Sequence, residues 1–272
     1  MKAEWRSRYE AAQDAARQAS RVALNYFDRD LAVEWKSDQS PVTIADRETE
    51  QALRAALLGA FPNDGFLGEE SGHTPGASGF RWIIDPIDGT RNFVRGIPIW
   101  ATLVGLEHRG EQIAGVVEVP ALRLTYRALR GDGAYRGDRR IRVSSVDALH
   151  AAQFFTSSPS WFMRCGAVDR FLDLVKRTNR QRGFGDFYGF MLVAQGSGEF
   201  MMEYGVHPWD VAAIKPIIEE AGGRYSDWTG KPGIDRPDAL ASNGKLHEAV
   251  LASLFDPVRS PGIPGEVQPF AD

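Results

Sequence analysis

Residues 82–93 read Trp82-Ile83-Ile84-Asp85-Pro86-Ile87-Asp88-Gly89-Thr90-Arg91-Asn92-Phe93. An apolar run stops on a carboxylate, Asp85. Pro86 stiffens the bend that follows, and Asp88 comes three residues after Asp85, so both acids can face one point. Gly89-Thr90 then leads into a short helical stretch, Arg91 to Arg95. Backbone N–H groups at a helix start, aided by the helix dipole, cradle phosphate. Carboxylates beside a phosphate repel it unless a cation lies between them, and ligands that are all oxygen favour Mg²⁺. Acids placed where apolar strands stop stand at the rim of a sheet, where open α/β proteins bind ligands.

Two further clusters follow the same pattern, Gly68-Glu69-Glu70-Ser71 and Trp209-Asp210. Each has a plainer reading when taken singly. Asp-Pro and Asp-Gly are common turn formers. A Glu-Glu pair is usually a solvated face, and Asp210 suits a helix start. Residue type and spacing alone leave turn and metal site evenly matched.

Working outward, Glu4 to Phe27 carries Tyr9, Ala12, Ala16, Ala19, Val22, Ala23 and Tyr26 at helical spacing. Lys36 to Val42 reads as a polar loop, and Asp46 to Phe61 as an amphipathic helix opened by acids. Ser71 to Gly79, small and polar, reads as a mobile loop. Trp100 to Leu106 and Gln112 to Val119 read as strands paired around His108-Arg109-Gly110, and Leu124 to Leu129, Ala134-Tyr135 and Ile141 to Val143 continue the strand-rich stretch. Beyond Ser144 strand and helix alternate: strands at Gln153 to Thr156, Glu199 to Glu203 and Ala239 to Ser242; helices at Phe162 to Lys176, Phe187 to Gln195, Pro208 to Ala221 and Leu246 to Leu254. Ser260 to Asp272, with three prolines, reads as a loose tail. The expected organisation is an N-terminal α+β unit over 1–144, a C-terminal α/β unit over 145–258 that completes the site, and a tail over 259–272.

Composition narrows the function classes. The chain has 272 residues, 32 Lys plus Arg against 36 Asp plus Glu, a net charge of −4 and 43% hydrophobic residues. Mean hydropathy is −0.31. Disordered, collagen-like and disulfide-scaffold classes are excluded. The slight acidity offers no field for nucleic acid or an anionic membrane. Cys165 is the single cysteine, so an intrachain disulfide is excluded, as is a zinc site of several thiolates; a reducing cytoplasm is expected. No apolar run approaches the roughly 20 residues that span a bilayer. The P-loop, H-E-x-x-H and G-x-S-x-G signatures all fail on inspection.

The stretch 82–93 resembles the signature of the inositol monophosphatase superfamily. Gly68-Glu69-Glu70-Ser71 is similar to its upstream acidic motif, Ala45-Asp46 to the acid after its mobile loop, and Trp209-Asp210-Val211-Ala212-Ala213 with Glu220-Ala221-Gly222-Gly223 to its second signature. The resemblance implies a layered αβαβα sandwich, Mg²⁺-dependent phosphomonoester hydrolysis (Mn²⁺ as a substitute) and a homodimer. Carried over, Glu69, Asp85 and the Ile87 carbonyl would hold one ion; Asp85, Asp88 and Asp210 a second; Asp46, with Glu69, a third. Glu69 and Thr90 would orient and deprotonate the attacking water, with Asp46 in the catalytic group. Gly89 and Thr90 amides would hold the phosphate.

Arg95 to Leu103 and Arg182 to Gly189 resemble the subgroup acting on histidinol phosphate. Asp186 stands where inositol-specific relatives usually carry a small residue, and Glu203 matches the position that contacts the substrate's alcohol portion. Two acids beyond the metal cluster would attract the amine and imidazole of that ester. A cap on the helix starting near Phe187 is the alternative for Asp186, compatible with the favoured substrate role. Inositol-1-phosphate is the runner-up, and a non-catalytic regulatory role is a different class of reading. Lys36 reads as a phosphate contact or a solvated lysine, His207 as structural, Trp161 to Met163 as core or partner surface.

Overall fold

The computed structural model describes residues 2–29, 32–35 and 41–254. Lys36 and the expected tail lie outside them. The N-terminal elements are α1 (Ala3–Tyr26), β1 (Glu34–Trp35), β2 (Pro41–Val42), α2 (Ile44–Ala60), β3 (Gly65–Gly68), β4 (Gly72–Thr74), β5 (Phe80–Asp88), α3 (Thr90–Phe93), β6 (Ala101–His108), β7 (Glu111–Val119), β8 (Leu124–Leu129), β9 (Gly133–Arg136) and β10 (Arg139–Ile141). There follow β11 (Gln153–Phe155), α4 (Pro159–Arg164), α5 (Val168–Arg177), β12 (Arg180–Arg182), α6 (Asp186–Ala194), β13 (Phe200–Tyr204), α7 (Pro208–Val211), α8 (Ile214–Glu220), β14 (Arg224–Ser226), β15 (Asp238–Ser242) and α9 (His247–Leu254).

Among the described residues β10-β9-β8-β7-β6-β5-β3-β4 form an eight-stranded sheet and β12-β11-β13-β15-β14 a five-stranded one. Both faces of the larger sheet are apolar, which is why its strands read as near-continuous hydrophobic runs. Trp82, Ile84, Val104, Leu106 and Val116 pack with Tyr9, Ala12, Ala16, Leu53 and Leu57 of α1 and α2. Ile83, Leu103 and Val117, one step out of phase, pack with α6, α7 and α8, which also meet Phe155, Met201 and Ala241 of the smaller sheet. The outer face of that sheet buries Phe154, Phe200 and Leu240 against Phe162, Phe171 and Val250 of α4, α5 and α9. The layers run helix, sheet, helix, sheet, helix, as the expected αβαβα sandwich does.

Several local expectations are corrected. Ser71 to Gly79 is not wholly loop: Gly72–Thr74 pairs antiparallel with β3. The helix read over Phe162 to Lys176 divides into α4 and α5 at Gly166, whose φ of +71° ends the first turn set. The helix read over Pro208 to Ala221 divides after Val211, because Pro216 has no N–H for the carbonyl four residues back. β1, β2, β12 and β14, two or three residues each, are too short for an alternating pattern to register as a strand. Trp161 to Met163 splits by residue: Phe162 is core and Met163 is exposed.

Candidate active site

Strand β5 runs on through Asp85 to Asp88, where a strand stop was expected. A bulge reconciles the two readings. Asp85 pairs with Leu103 and Asp88 with Ala101, so three steps along β5 match two along β6. Side chains alternate along a strand, so residues three apart normally point to opposite faces, and one extra residue restores the parity. The buried Thr102 hydroxyl donates to the Pro86 carbonyl at 2.9 Å and pins the bulge. Asp85 and Asp88 are both buried and held well above the usual carboxylate range. Burial is the first cause for each. For Asp85 the repulsion of Glu69, Asp88, Asp210 and Asp46 follows; for Asp88, that of Asp186 and Asp210. The acids from separate stretches of sequence therefore share one cleft.

Each is placed by its own element. Glu69 follows β3, and its N–H donates to the Ile84 carbonyl at 3.2 Å, drawing it alongside Asp85. Asp46 is the third residue of α2. Its Oδ2 accepts the Thr43 N–H at 2.8 Å and the Thr43 hydroxyl at 2.7 Å, a reciprocal helix cap. Burial pushes Asp46 up to about 6. Thr90 donates to the Ile87 carbonyl at 2.9 Å and lies 3.4 Å from Asp46 Oδ1. Gly89, at φ +84°, caps α3, so the N–H groups of Gly89 and Thr90 are among those that helix geometry leaves without an intrahelical carbonyl. Asp210, third in α7, accepts the His207 N–H at 2.8 Å. His207 stacks on Trp209 with ring centroids 4.8 Å apart.

The helix-cap reading of Asp186 is corrected. Gly185 is the N-cap of α6 and makes no side-chain cap. The anion at that helix start is Asp88, which accepts the Phe187 N–H at 2.7 Å. Asp186 itself adopts φ +53°, uncommon for a residue with a Cβ, and turns its Oδ2 toward Asn92 Nδ2 at 3.4 Å. Burial, then Asp210, raises Asp186 to about 6, while Arg91 opposes the shift. Glu203 on β13 is buried and pushed up to about 8, mainly by burial. Its Oε1 accepts the Ser157 hydroxyl; its Oε2 is buried without a hydrogen-bond partner among the described residues.

The candidate metal donors are carboxylate and carbonyl oxygens, a set that suits a hard divalent cation. Among the described residues no group of three or more Asp, Glu, His or Cys side chains is already drawn in around one point. One oxygen each of Asp85, Asp88, Asp210 and Asp46 accepts a backbone N–H, from Ile87, Phe187, His207 and Thr43 respectively. The clustering and its mutual repulsion fit a cation.

Residues 4–258 match the inositol monophosphatase family. The chain belongs to that family. The histidinol-phosphatase of Mycobacterium tuberculosis is 42% identical over 249 residues, 90% of this chain and 95% of that one. The inositol-1-monophosphatase of Mesorhizobium japonicum is 35% identical over 237 residues, 85% and 88% of the two chains. The crystal structure of the extragenic suppressor protein suhB from Bartonella henselae superposes with a TM-score of 0.84 at 31% identity, covering 91% of this chain and 98% of that one. As an inositol monophosphatase family member this chain is a phosphatase, and its layered sandwich is the family's.

Two features of this family member escaped the sequence reading. Gly105 and Gly115 are register partners on β6 and β7. A Cβ on Gly115 would stand 1.9 Å from the Ala213 carbonyl oxygen, and one on Gly105 2.8 Å from Ala212 Cβ. They let the chain just after Asp210 lie on the sheet that carries Asp85. Glycines inside apolar strands were the available signal. Cys165, half-buried, has its thiol raised by burial, in keeping with a packed rather than nucleophilic role. Among the described residues no helix is long and apolar enough to cross a membrane.

Proposed function

We propose that this phosphatase hydrolyses L-histidinol phosphate to L-histidinol and phosphate, with Mg²⁺ in the acidic cleft. The carrying observation is Glu203. It is a buried acid beyond the catalytic cluster, with one oxygen unpartnered among the described residues and Asp186 near enough to raise it. An ammonium or imidazolium group brought to that oxygen would favour its ionised form and gain a charge-assisted hydrogen bond. An uncharged polyol gains less. The 42% identity to a histidinol-phosphatase supports the same reading.

Glu69, Asp85 and the Ile87 carbonyl would hold one ion, Asp85, Asp88 and Asp210 a second, and Asp46 with Glu69 a third. Bound there, Mg²⁺ would neutralise the phosphate and the leaving oxygen and make water more acidic. The chain's own groups do the rest. Glu69 and the Thr90 hydroxyl orient the attacking water. Asp46 Oδ1, 3.4 Å from the Thr90 hydroxyl, helps to hold that hydroxyl, and Glu69 with Thr90 takes the water's proton. Gly89 and Thr90 N–H groups bind the phosphate oxygens. Asp186 and Glu203 hold the substrate's cationic end.

The division into units over 1–144 and 145–258, a homodimer and a cytoplasmic location belong to the same proposal and rest on the family resemblance and the single cysteine. Inositol-1-phosphate remains the second reading, favoured by the 35% identity to an inositol-1-monophosphatase and by the protonated Glu203, which can donate to a hydroxyl. The deciding experiment compares kcat/KM for the two esters, with Mg²⁺ and with EDTA. A preference for inositol-1-phosphate overturns the assignment of substrate, and full activity in EDTA overturns that of metal.

A further inference from the structure

Helix α2 carries Asp46, Glu50 and Arg54 at four-residue intervals, which places them on one face. Asp46 stands at the cleft. Glu50, one turn on, is buried; its Oε2 accepts the Glu70 N–H at 2.8 Å and its Oε1 the Ser71 N–H at 2.7 Å. These are the two amides that follow Glu69. A carboxylate taking two consecutive backbone N–H groups fixes the orientation of that peptide segment through two charge-assisted bonds. Gly68, on the other side of Glu69, makes room for it: a Cβ there would lie 2.5 Å from the Glu50 carboxylate. Arg54, a further turn on, donates to the Thr74 hydroxyl at 2.9 Å and lies over the Phe66 ring at 4.9 Å. One helix face thus grips the β3–β4 hairpin at its turn and at its outer strand.

We propose that Glu50 is a positioning residue that locks the turn bearing Glu69 to the helix bearing Asp46, and so sets the separation of these two acids for the ion they would share. The inference rests on the metal-phosphatase reading for its consequence, but the clamp is independent of it. A solely structural Glu50 would lower stability and leave ion affinity alone. A positioning Glu50 weakens ion binding while the ester, seated by other residues, keeps its KM.

The test is Mn²⁺ binding to the metal-free, substrate-free protein, followed by electron paramagnetic resonance, in the wild type, Glu50→Gln and Arg54→Met. Gln keeps one acceptor oxygen but turns an NH₂ toward the other amide. Mn²⁺ affinity in Glu50→Gln should fall about 10- to 100-fold, as for residues that orient metal ligands, with KM unchanged at saturating metal. Arg54→Met, which loosens only the outer strand, should bind Mn²⁺ as the wild type does. Unchanged affinity in Glu50→Gln, or an equal loss in Arg54→Met, overturns the proposal. Should Glu50→Gln fail to fold, amide hydrogen exchange in the metal-free wild type decides: slow exchange at Glu70 and Ser71 supports the clamp, and fast exchange there overturns it. A wild type that binds no Mn²⁺ and hydrolyses no ester removes the metal-phosphatase reading, while the exchange experiment still judges the clamp.

Discussion

Asp88 Oδ2 accepts the backbone N–H of Phe187 at 2.7 Å, joining β5 to the start of α6 across 99 positions of sequence. One acid of the central cluster is therefore also the anion at the positive end of the helix that begins with Asp186. Asp88→Asn keeps an acceptor oxygen for Phe187 and loses the charge. Turnover should fall by at least about 10³-fold, the several kcal/mol expected of a ligand to a Lewis acid, with the fold intact. Asp88→Ala should in addition change the ratio of kcat/KM between esters at residual activity, because α6 loses its anchor. Activity in Asp88→Asn within tenfold of wild type would remove Asp88 from the metal set.

Burial and four neighbouring carboxylates hold Asp85 well above its ordinary range, so gathering the cluster costs stability when no cation is present. Calorimetry should show Tm rising with Mg²⁺, by about 2.7 kcal/mol of stabilisation at a hundredfold excess over Kd. Asp85→Asn should lose that response and should melt in EDTA at or above the wild-type temperature. A wild-type Tm indifferent to Mg²⁺, or an Asp85→Asn protein less stable in EDTA, would contradict the account.

Gly115 meets backbone, not a side chain that can swing aside. Gly115→Ala must push the segment after Asp210 off the sheet. Urea unfolding should report a loss of at least about 3 kcal/mol, the upper part of the usual range for overpacking. Mg²⁺ activation should weaken in the same variant, because Asp210 moves with its helix. A loss below about 1 kcal/mol would mean the helix yields freely.

Glu69, Asp85, Asp88 and Asp210 stood out because each ends an apolar run or opens a helix, a local pattern that a sequence displays; their reading as a metal set came from the family resemblance and stays part of the proposal. Picking them out needed no knowledge of what lies across the sheet, whereas Asp46 joined them only through the resemblance. The bulge between Asp85 and Asp88 did need it, since its definition is a count against β6. Gly105 and Gly115 went unread because their reason lies in Ala212 and Ala213, more than 95 positions away. The cap, the alternative reading of Asp186, fails for a related reason: its residue type suits a cap, but it stands inside α6 at φ +53°, one place after the N-cap Gly185. Nothing in the helical pattern sets Glu50 apart from its neighbours, since the Glu70 and Ser71 N–H groups that it accepts come from the β3–β4 turn. Two long helices were read through Gly166 and Pro216 because apolar periodicity continued across both.

Glu203 and Asp186 set the ester preference in the proposed reading. Asp186→Ala should cost histidinol phosphate about 10- to 100-fold in kcat/KM, as a charge-assisted hydrogen bond predicts, and inositol-1-phosphate far less. Equal losses would make Asp186 a general structural residue. Glu203, raised to about 8, holds a proton at pH 7 that a cationic ligand should expel. Calorimetric titration with histidinol in buffers of different ionisation enthalpy should show proton release, absent in Glu203→Gln. The sign for stability is fixed too: between about pH 4.5 and 8 the folded chain keeps a proton the unfolded chain has lost, so this residue lowers stability as pH rises.

His247 controls the opposite limb. It is fully buried, with Nε2 2.9 Å from the Ser226 hydroxyl and Nδ1 2.8 Å from the Ser242 hydroxyl. Ser226 donates to the Asp227 carbonyl at 2.6 Å, so its oxygen is left to accept from Nε2–H, and Nδ1 accepts from Ser242. Both ring nitrogens are satisfied in the neutral form, and a second ring proton would face a hydroxyl already donating to it. Burial, reinforced by Arg224, lowers the ring to about 4 from 6.5. Its contribution is complete above pH 6.5, declines as the unfolded chain takes up a proton, and is gone below about pH 4. The difference amounts to on the order of 3 kcal/mol. His247→Gln should be less stable than wild type at pH 7.5 and should show a shallower loss between pH 6.5 and 4 in chemical denaturation. Parallel pH profiles for the two proteins would show that the imidazole titrates normally and that the acid limb has another source.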